Sequence, residues 1–362
     1  MPIRKNAKTG GSRAKLRDDI LNGHYLPGTY LPSARELAKE LKISKSSVHN
    51  ILKLLQEEGL IQIYPNCGAL VLENEARTNI LRAVFVRPSD FGTFQYLPVT
   101  QSLMEGVAAG AEKKNCEAVF SFSDSGRLTD EIIARHMSGA IQGVIYLQCH
   151  DFKNLILPLR KAGIPCVIAS DERGCTDTAR VYMDYRAAAR QAVQYLIRHG
   201  HRKIGLISGS ARDPHYAEMH AGFRGALAEE NIRLEPDWIL ADLPYGQNDA
   251  LQIAKITEFL NRSDRPEAIF TIRDYRAQWL YLAAEKLGLH IPGDLSVISF
   301  DNHTWHGAEF AGLTTLEEPL RRQGELAVEL LQKWVSSGIP AESVEVKPRL
   351  IERKSVLKRK TG

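Results

Sequence analysis

At 362 residues, 44% apolar and 25% charged, the chain has the make-up of a globular protein and the length of two or three domains. No apolar run approaches the ~18 residues of a membrane span, and the basic N-terminus lacks the apolar stretch of a signal peptide. A membrane protein is not expected, and the cytoplasm is the expected compartment. The net charge of +4 is uneven: the first 78 residues hold 12 Lys and Arg against 8 Asp and Glu, and the remainder carries 35 of each. All the excess positive charge sits where a polyanion would meet it.

Residues 12 to 72 read helix, helix, helix, hairpin. In "SRAKLRDDILNG", Leu16, Ile20 and Leu21 recur at helical spacing up to Gly23, and "LPG" and "LPS" punctuate a short connection. Ser33, followed three residues on by Glu36, forms a capping-box signature that opens a second helix with Leu37, Ala38 and Leu41 on its buried stripe. A third helix follows closely, with Ser44 as N-cap, Val48, Ile51, Leu52 and Leu55 as its stripe and Gly59 as its stop. "LIQIYPNCGALVL" gives two short apolar runs around Pro65, Asn66, Cys67 and Gly68, a hairpin with a small tip. Together these predict a winged helix-turn-helix over residues 1 to 72.

Residues 73 to 79, "ENEARTN", are polar and aperiodic and read as a linker. From residue 80, "LRAVFV", "EAVFSFS", "GVIYLQ", "PCVIAS", "RVYMD", "KIGLIS", "AIFTI" and "LSVISFD" read as strands alternating with amphipathic helices such as "RAAARQAVQYLIRHG". The alternation predicts an α/β fold with parallel sheet covered on both faces, and the length of residues 80 to 355 predicts two lobes. Residues 356 to 362 are expected to be a solvated basic tail. Cys67, Cys116, Cys149, Cys166 and Cys175 form no CxxC pair and are read as reduced packing residues, not as a disulfide framework or a zinc site.

At 100° per residue, the stripe of the third helix leaves Ser46, His49, Asn50 and Lys53 on the opposite face, with Lys45 and Ser47 beside the N-terminus. Unpaired N–H groups and the positive dipole end favour phosphate there. Short donors and long cations suit phosphate oxygens and major-groove edges. Taken alone, such a turn reads first as a solvated helix start. The helix before it, the wing after it and the local charge shift the reading to a DNA-facing surface.

These residues resemble the DNA-binding domain of the GntR family of bacterial regulators, over residues 12 to 72. The motifs are G-x-x-x-P-G-x-x-L-P-S at Gly23 to Ser33, R-x-L-A at Arg35 to Ala38, S-x-x-x-V at Ser44 to Val48, E-G-L-I at Glu58 to Ile61, and the wing glycine Gly68. The resemblance implies that Arg35, Ser44, Lys45, Ser46, Ser47 and His49 touch DNA in the major groove or on its backbone, and that the wing tip reaches the minor groove. Lys45 and His49 depart from the arginines usual there, which keeps phosphate contact but weakens bidentate guanine reading.

The second block is similar to the ligand-binding core of the LacI family and of periplasmic sugar-binding proteins, over about residues 80 to 355. It is carried by "VYMDYRAAARQAVQYLIRHGHRKIGLISG", "AGFRGALAEENI", "IPGDLSVISFDN", "LTTLEEPLRRQGELAVELL" and "VKPRLIERKSV". This resemblance implies a periplasmic-binding-protein-like pair of Rossmann-like lobes joined by three crossings, with the ligand in the cleft where strand C-termini and helix N-termini converge. The fusion of the two blocks resembles the arabinose-responsive AraR type of regulator. Met219 stands where a sugar-binding arginine commonly precedes "AGF". Arg273 replaces the asparagine of an "ND" pair whose Asp274 remains, and Asp301 of "SFDN" also remains. A cation moved from one wall to another suits a different sugar or a carboxylated ligand; the plain alternative is Arg273 paired with a surface carboxylate.

Trp305, with His303 and His306 in "DNHTWHG", could stack on and hydrogen-bond a sugar face, while the two histidines lack the further ligands a metal needs. Phe91 and Tyr245, on loops after strands, either line the cleft or pack. "LISGSARD" lacks the lysine of a phosphate-binding loop. The expected function is an effector-responsive transcription regulator, a repressor, that dimerises through the second block and binds a pseudo-palindromic operator. Its ligand is expected to be sugar-like, with no cofactor, no metal, no membrane contact and no enzymatic activity. The alternatives are a DNA-binding head fused to an enzyme, as in the aminotransferase-like branch of GntR regulators, and a sugar-binding transport component. The first needs a longer catalytic domain with a cofactor lysine, and the missing signal peptide and basic head oppose the second.

Overall fold

The computed structural model describes residues 11–17, 19–20, 24–26, 28–65, 67–72, 79–86, 97–123, 128–147, 152–170, 178–243, 249–302 and 312–359. The chain divides into two units, residues 1–79 and 80–362. No helix among the described residues is long and apolar enough to cross a membrane.

In the first unit, residues 11–17 and 19–20 are helical (α1) and are followed by α2 (Ala34–Glu40), α3 (Lys45–Glu57), β1 (Ile61–Tyr64) and β2 (Gly68–Val71). The capping box forms: Glu36 N donates to Ser33 Oγ at 3.3 Å, and Ser33 N donates to the Glu36 carboxylate at 2.8 Å. Leu16, Leu37, Val48, Ile51, Leu55 and Ile61 are buried together in one apolar core. Arg13 and Arg17 both donate to Glu58 and pin α1 to the end of α3. Burial alone would raise the Glu58 pKa, but the two guanidinium groups hold it below its usual value. Its contribution is therefore full at neutral pH and is lost as the pH falls through that lowered value. The punctuated connection between α1 and α2 also does more than the sequence pattern suggests. Gly28 N donates to Val71 O, Val71 N to Thr29 O and Leu31 N to Ala69 O, at 2.8 to 2.9 Å, which lays residues 28 to 31 along the wing as a third, strand-like segment with one bridge, Tyr30 to Leu70.

The second unit holds two six-stranded sheets. The first contains β3 (Asn79–Val86), β4 (Cys116–Ser123), β5 (Gly143–Leu147), β6 (Cys166–Ala169) and β7 (Ala179–Met183), with α4 (Leu97–Lys113), α5 (Leu128–Met137) and α6 (Leu157–Lys161) between them. The chain then crosses into α7 (Tyr185–Arg198), β8 (Ile204–Ile207), α8 (Pro214–Glu229), β9 (Ile239–Leu240), α9 (Asp249–Leu260), β10 (Ala268–Thr271), α10 (Asp274–Lys286), β11 (Ser296–Asp301) and β12 (Thr314–Glu317). It returns through α11 (Leu320–Ser337) to β13 (Val344–Val346), and crosses once more to β14 (Arg349–Ile351). The strand orders are β13-β7-β6-β5-β3-β4 and β14-β12-β11-β10-β8-β9. β14 runs antiparallel to β12, against the parallel grain of both sheets. β5, β6, β8, β10 and β11 are buried at every residue, as expected of strands covered on both faces.

Short β9, β12, β13 and β14 escape the sequence pattern because two to four residues show no period. Three of them flank the second and third crossings, so the topology depends on them. The expected solvated tail is corrected as far as residue 359; residues 360–362 lie outside the described residues. Ser355 is buried; its Oγ donates to Val297 O at 2.5 Å and accepts from Thr314 N at 2.7 Å. Leu357 N donates to Ser296 Oγ at 2.9 Å and Arg359 N to His199 O at 2.8 Å, and the Arg359 guanidinium pairs with Glu267. Residues 355 to 359 are thus a docked seam whose polar backbone finds partners on the second lobe. Among the cysteines, Cys166 is buried and Cys116 half-buried, but Cys67 is exposed at the wing tip and is not a packing residue; Cys149 and Cys175 lie outside the described residues.

The helix pair α4 and α11 crosses at glycines. A Cβ on Gly106 would stand 2.0 Å from Arg321 O, and one on Gly324 would stand 2.4 Å from Leu103 O. Gly324→Ala is therefore expected to cost about 3 kcal/mol or more through overpacking against backbone. Gly225→Ala on α8, where a Cβ meets nothing within 4 Å, is expected to be neutral or stabilising by up to ~1 kcal/mol. Urea unfolding of the two variants side by side checks the contrast.

Candidate functional site

The first site is the start of α3. Ser44 sits in extended backbone with its Oγ accepting from Ser47 N at 3.1 Å, and the Ser46 and Ser47 hydroxyls each lie 2.9 Å from the same oxygen. The cap holds a cluster of hydroxyls around the helix N-terminus, where backbone N–H groups point outward. Val48, Ile51, Leu52 and Leu55 are buried, while Lys45, Ser46, His49, Asn50 and Lys53 are exposed. The burial of one stripe thus presents the opposite one to solvent. Arg35 is exposed on α2, and Gly68 is exposed at φ +108°, a backbone region that favours glycine. Ile63 N donates to Gln56 Oε1 at 2.8 Å and ties the wing to α3.

The second site lies between the lobes of the second unit, at the C-terminal ends of the parallel strands. Backbone strain gathers there. Ser170 after β6, Asp242 after β9, Arg273 after β10, and Asp301 and Asn302 at the end of β11 all have φ between +57° and +132°. Non-glycine residues held in this region mark functional sites more often than chance.

Arg273 is 7% exposed and Asp301 5%. Arg273 Nη1 donates to Asp301 Oδ1 at 2.8 Å, and its Nη2 donates to His215 Nε2 at 3.2 Å. Nε2 must then accept, so the imidazole proton sits on Nδ1, 3.3 Å from Asp213 Oδ1. Asp274 is buried and accepts from Thr315 Oγ1 at 3.0 Å, so it braces β12 from within its own lobe. Next to this floor, Arg276 is fully buried among carbonyls: it donates twice to Leu243 O, once to Ile272 O, and to Tyr216 OH at 3.1 Å. Burial raises the Tyr216 phenol, but the Arg276 and Arg273 cations outweigh that and pull it below its ordinary pKa.

The lobes meet at Glu318, in the second crossing. Its Oε1 accepts from Tyr185 OH at 3.0 Å in the first crossing, from Gln323 Nε2 at 2.8 Å in α11 and from Ser170 Oγ at 3.3 Å at the end of β6. The Tyr185 ring lies 5.8 Å from His215 and 6.1 Å from Phe300 by centroids. A groove of about 360 Å³ opens beside this junction, between Ser102, the first turn of α11, and Asp301, Asn302 and Glu317. Its size is within the range of small-ligand sites.

The structure corrects one predicted cleft residue and refines another. Met219 is fully buried in the apolar core of α8; a thioether packed among aliphatic side chains lines no cleft. Arg273 is indeed paired with a carboxylate, but the pair is buried at the cleft floor and not on the surface. Phe91, Tyr245, Trp305, His303 and His306 lie outside the described residues. Tyr185, His215, Glu318 and Arg276 had no sequence signal beyond their presence near strand ends, because the topology, not spacing, brings them together.

Residues 12–71 match the family described as bacterial regulatory proteins, gntR family, and residues 193–356 match the periplasmic binding protein-like domain. Catabolite control protein A of Priestia megaterium is 27% identical over 332 residues, covering 88% of this chain and 96% of that protein. The HTH-type transcriptional repressor PurR of Photorhabdus laumondii is 37% identical over 169 residues, 46% of this chain and 48% of its own length. The chain thus spans about half the length of that relative. A regulatory protein of the LacI family from Chloroflexus aggregans superposes with a TM-score of 0.66 at 25% identity, covering 77% of this chain and 99% of the other.

Arg273→Ala would leave Asp301 buried without its cation. The expected loss is about 3 to 5 kcal/mol of stability in urea unfolding, and Arg273→Ala combined with Asp301→Ala is expected to lose less than the sum of the two single variants.

Proposed function

We propose that this chain, a gntR-type DNA-binding head joined to a periplasmic-binding-protein-like sensor of the LacI kind, is a transcriptional repressor whose operator binding is set by a small ligand in the interlobe cleft. The observation that carries this reading is the capped α3, whose apolar stripe is buried and whose Lys45, Ser46, His49 and Asn50 are exposed. In this reading, Arg35, Ser44, Lys45, Ser46, Ser47, His49, Asn50 and Gly68 contact the duplex, and a homodimer places two heads on a pseudo-palindromic site. The protein acts in the cytoplasm as a regulator and not as an enzyme.

The ligand is held by Arg273 and Asp301, with Asp274 bracing the floor beneath them, and its class follows from the Arg273–Asp301 pairing. A carboxylate that claimed Arg273 would compete with Asp301 for a cation already paired in a buried site, at a cost of about 3 to 5 kcal/mol. A hydroxyl can donate to Asp301 and accept from Arg273 while their pair stays intact. The site therefore favours a neutral, polyhydroxylated, sugar-like molecule over a sugar acid.

Two measurements test this reading. Lys45→Ala is expected to weaken binding to duplex DNA about equally across sequences and to reduce the slope of log affinity against log salt by about 1; an unchanged slope would remove Lys45 from the phosphate contacts. In a thermal-shift panel, neutral sugars are expected to raise the melting temperature and the matching sugar acids to leave it unmoved; the reverse order would overturn the ligand class.

A further inference from the structure

The solvent face of the wing carries two large aromatic side chains that the core does not use. Tyr64 pairs with Gly68 across the hairpin, Gln62 pairs with Leu70, and Tyr30 bridges to Leu70 from the third strand. Cross-strand partners share a face, so Tyr30, Gln62, Tyr64, Gly68 and Leu70 all lie opposite the buried Ile61, Ala69 and Val71. Tyr30 is 51% exposed and Tyr64 43%. A Cβ on Gly68 would touch the Tyr30 ring at 3.6 Å. Two rings therefore flank one bare stretch of backbone at the wing tip. Neither residues 20 to 35 nor residues 59 to 72 contain a single Asp or Glu, so no like charge on either segment repels a phosphate.

We infer that Tyr30 and Tyr64 grip the sugar–phosphate backbone at the minor-groove edge of the operator, with Gly68 passing between them. The inference rests on the reading that the head binds DNA. The exposed patch lies on the wing, whose first strand is tied to α3 through Gln56, and it adjoins the glycine of the wing tip. A phenol ring lays an apolar face on deoxyribose, and its hydroxyl donates to a phosphate oxygen. Neither tyrosine brings a charge of its own, so neither contact releases a counterion. The rings thus add affinity that salt does not screen, beside the cations of α3 that salt does screen.

The test uses the full-length protein and a duplex that the wild type selects from a randomised library. Tyr30→Ala and Tyr64→Ala are each expected to weaken binding about tenfold with the salt slope unchanged. Hydroxyl-radical protection should disappear at the flanking minor grooves, while protection of guanine N7 in the major groove persists. Tyr30→Phe and Tyr64→Phe should recover most of the affinity, and because they keep the ring they serve in place of any alanine variant that melts early. Affinities within twofold of the wild type for both tyrosines overturn the inference and leave the DNA-binding reading standing. So does a change in sedimentation without a change in the footprint, which would place a protein surface on this face. A wild type that selects no duplex overturns both.

Discussion

One carboxylate oxygen sits where three passages of the chain meet. Glu318 Oε1 collects donors from Tyr185, Gln323 and Ser170, which belong to the first crossing, to α11 and to the end of β6. A carboxylate taken out of water needs such donors. These three donors are brought together by the relative position of the lobes seen here. Lobes joined by three narrow crossings would otherwise have little to fix their angle, because hinge closure is the default motion of such pairs. The glycine crossings of α4 with α11 and of α7 with α8, where a Cβ on Gly222 would stand 2.1 Å from Arg186 O, make each lobe stiff. Freedom is left at the junction, and Glu318 occupies it.

The same junction is connected to the cleft floor. Tyr185 gives its hydroxyl to Glu318 and its ring to the neighbourhood of His215, which in turn accepts from Arg273. A ligand that bonds to the Arg273–Asp301 pair therefore acts on a chain of contacts that ends on the hinge carboxylate. Hydrogen bonds to a charged group are worth about 1.5 to 3 kcal/mol each. Driving a two-state equilibrium from 1:99 to 99:1 takes about 5.5 kcal/mol of differential affinity. The loss or gain of two or three such bonds is of that order, so a ligand of ordinary affinity suffices to bias the lobes. Whatever it contributes to one lobe arrangement, bound operator contributes reciprocally to ligand affinity.

The head was legible in the sequence because its signals are local. Ser33 and Glu36, Ser44, and the stripe Val48, Ile51, Leu52 and Leu55 lie within a few residues of the partners that define their roles. The long buried strands of the sensor were legible for a similar reason, since a run such as "GVIYLQ" is apolar throughout. What could not be read were features made by distant segments meeting. Glu318 and Ser170 are 148 residues apart, and Arg273 and His215 are 58 apart; no period or spacing announces either contact. Met219 went to the core because one helix face of α8 is buried along His215, Met219, Gly222, Phe223 and Ala226, and a methionine on that face packs. The C-terminal segment looked like a basic tail by composition, yet Ser355 and Leu357 are spaced to meet Val297 and Ser296 on a strand more than fifty residues earlier.

The side chains on α3 also bear on how sequence is read, once the head is taken as a DNA reader. Residues 41 to 60 contain three lysines and no arginine. Lysine is a point charge without the planar fork that pairs with the O6 and N7 of guanine. On the proposed reading, fork-type contacts would fall to Arg35, exposed on α2, while the exposed Asn50 amide is the group on α3 suited to the two-point pattern of adenine. Ser46 and Ser47 are too short to discriminate strongly, and their hydroxyls are already engaged with Ser44. With few direct readers, more of the discrimination must come from how readily the duplex accepts the wing, a property of groove width and deformability instead of base edges. On the proposed reading, affinity and recognition separate: lysines and helix dipole would hold the phosphates, and the shape of the DNA would decide where.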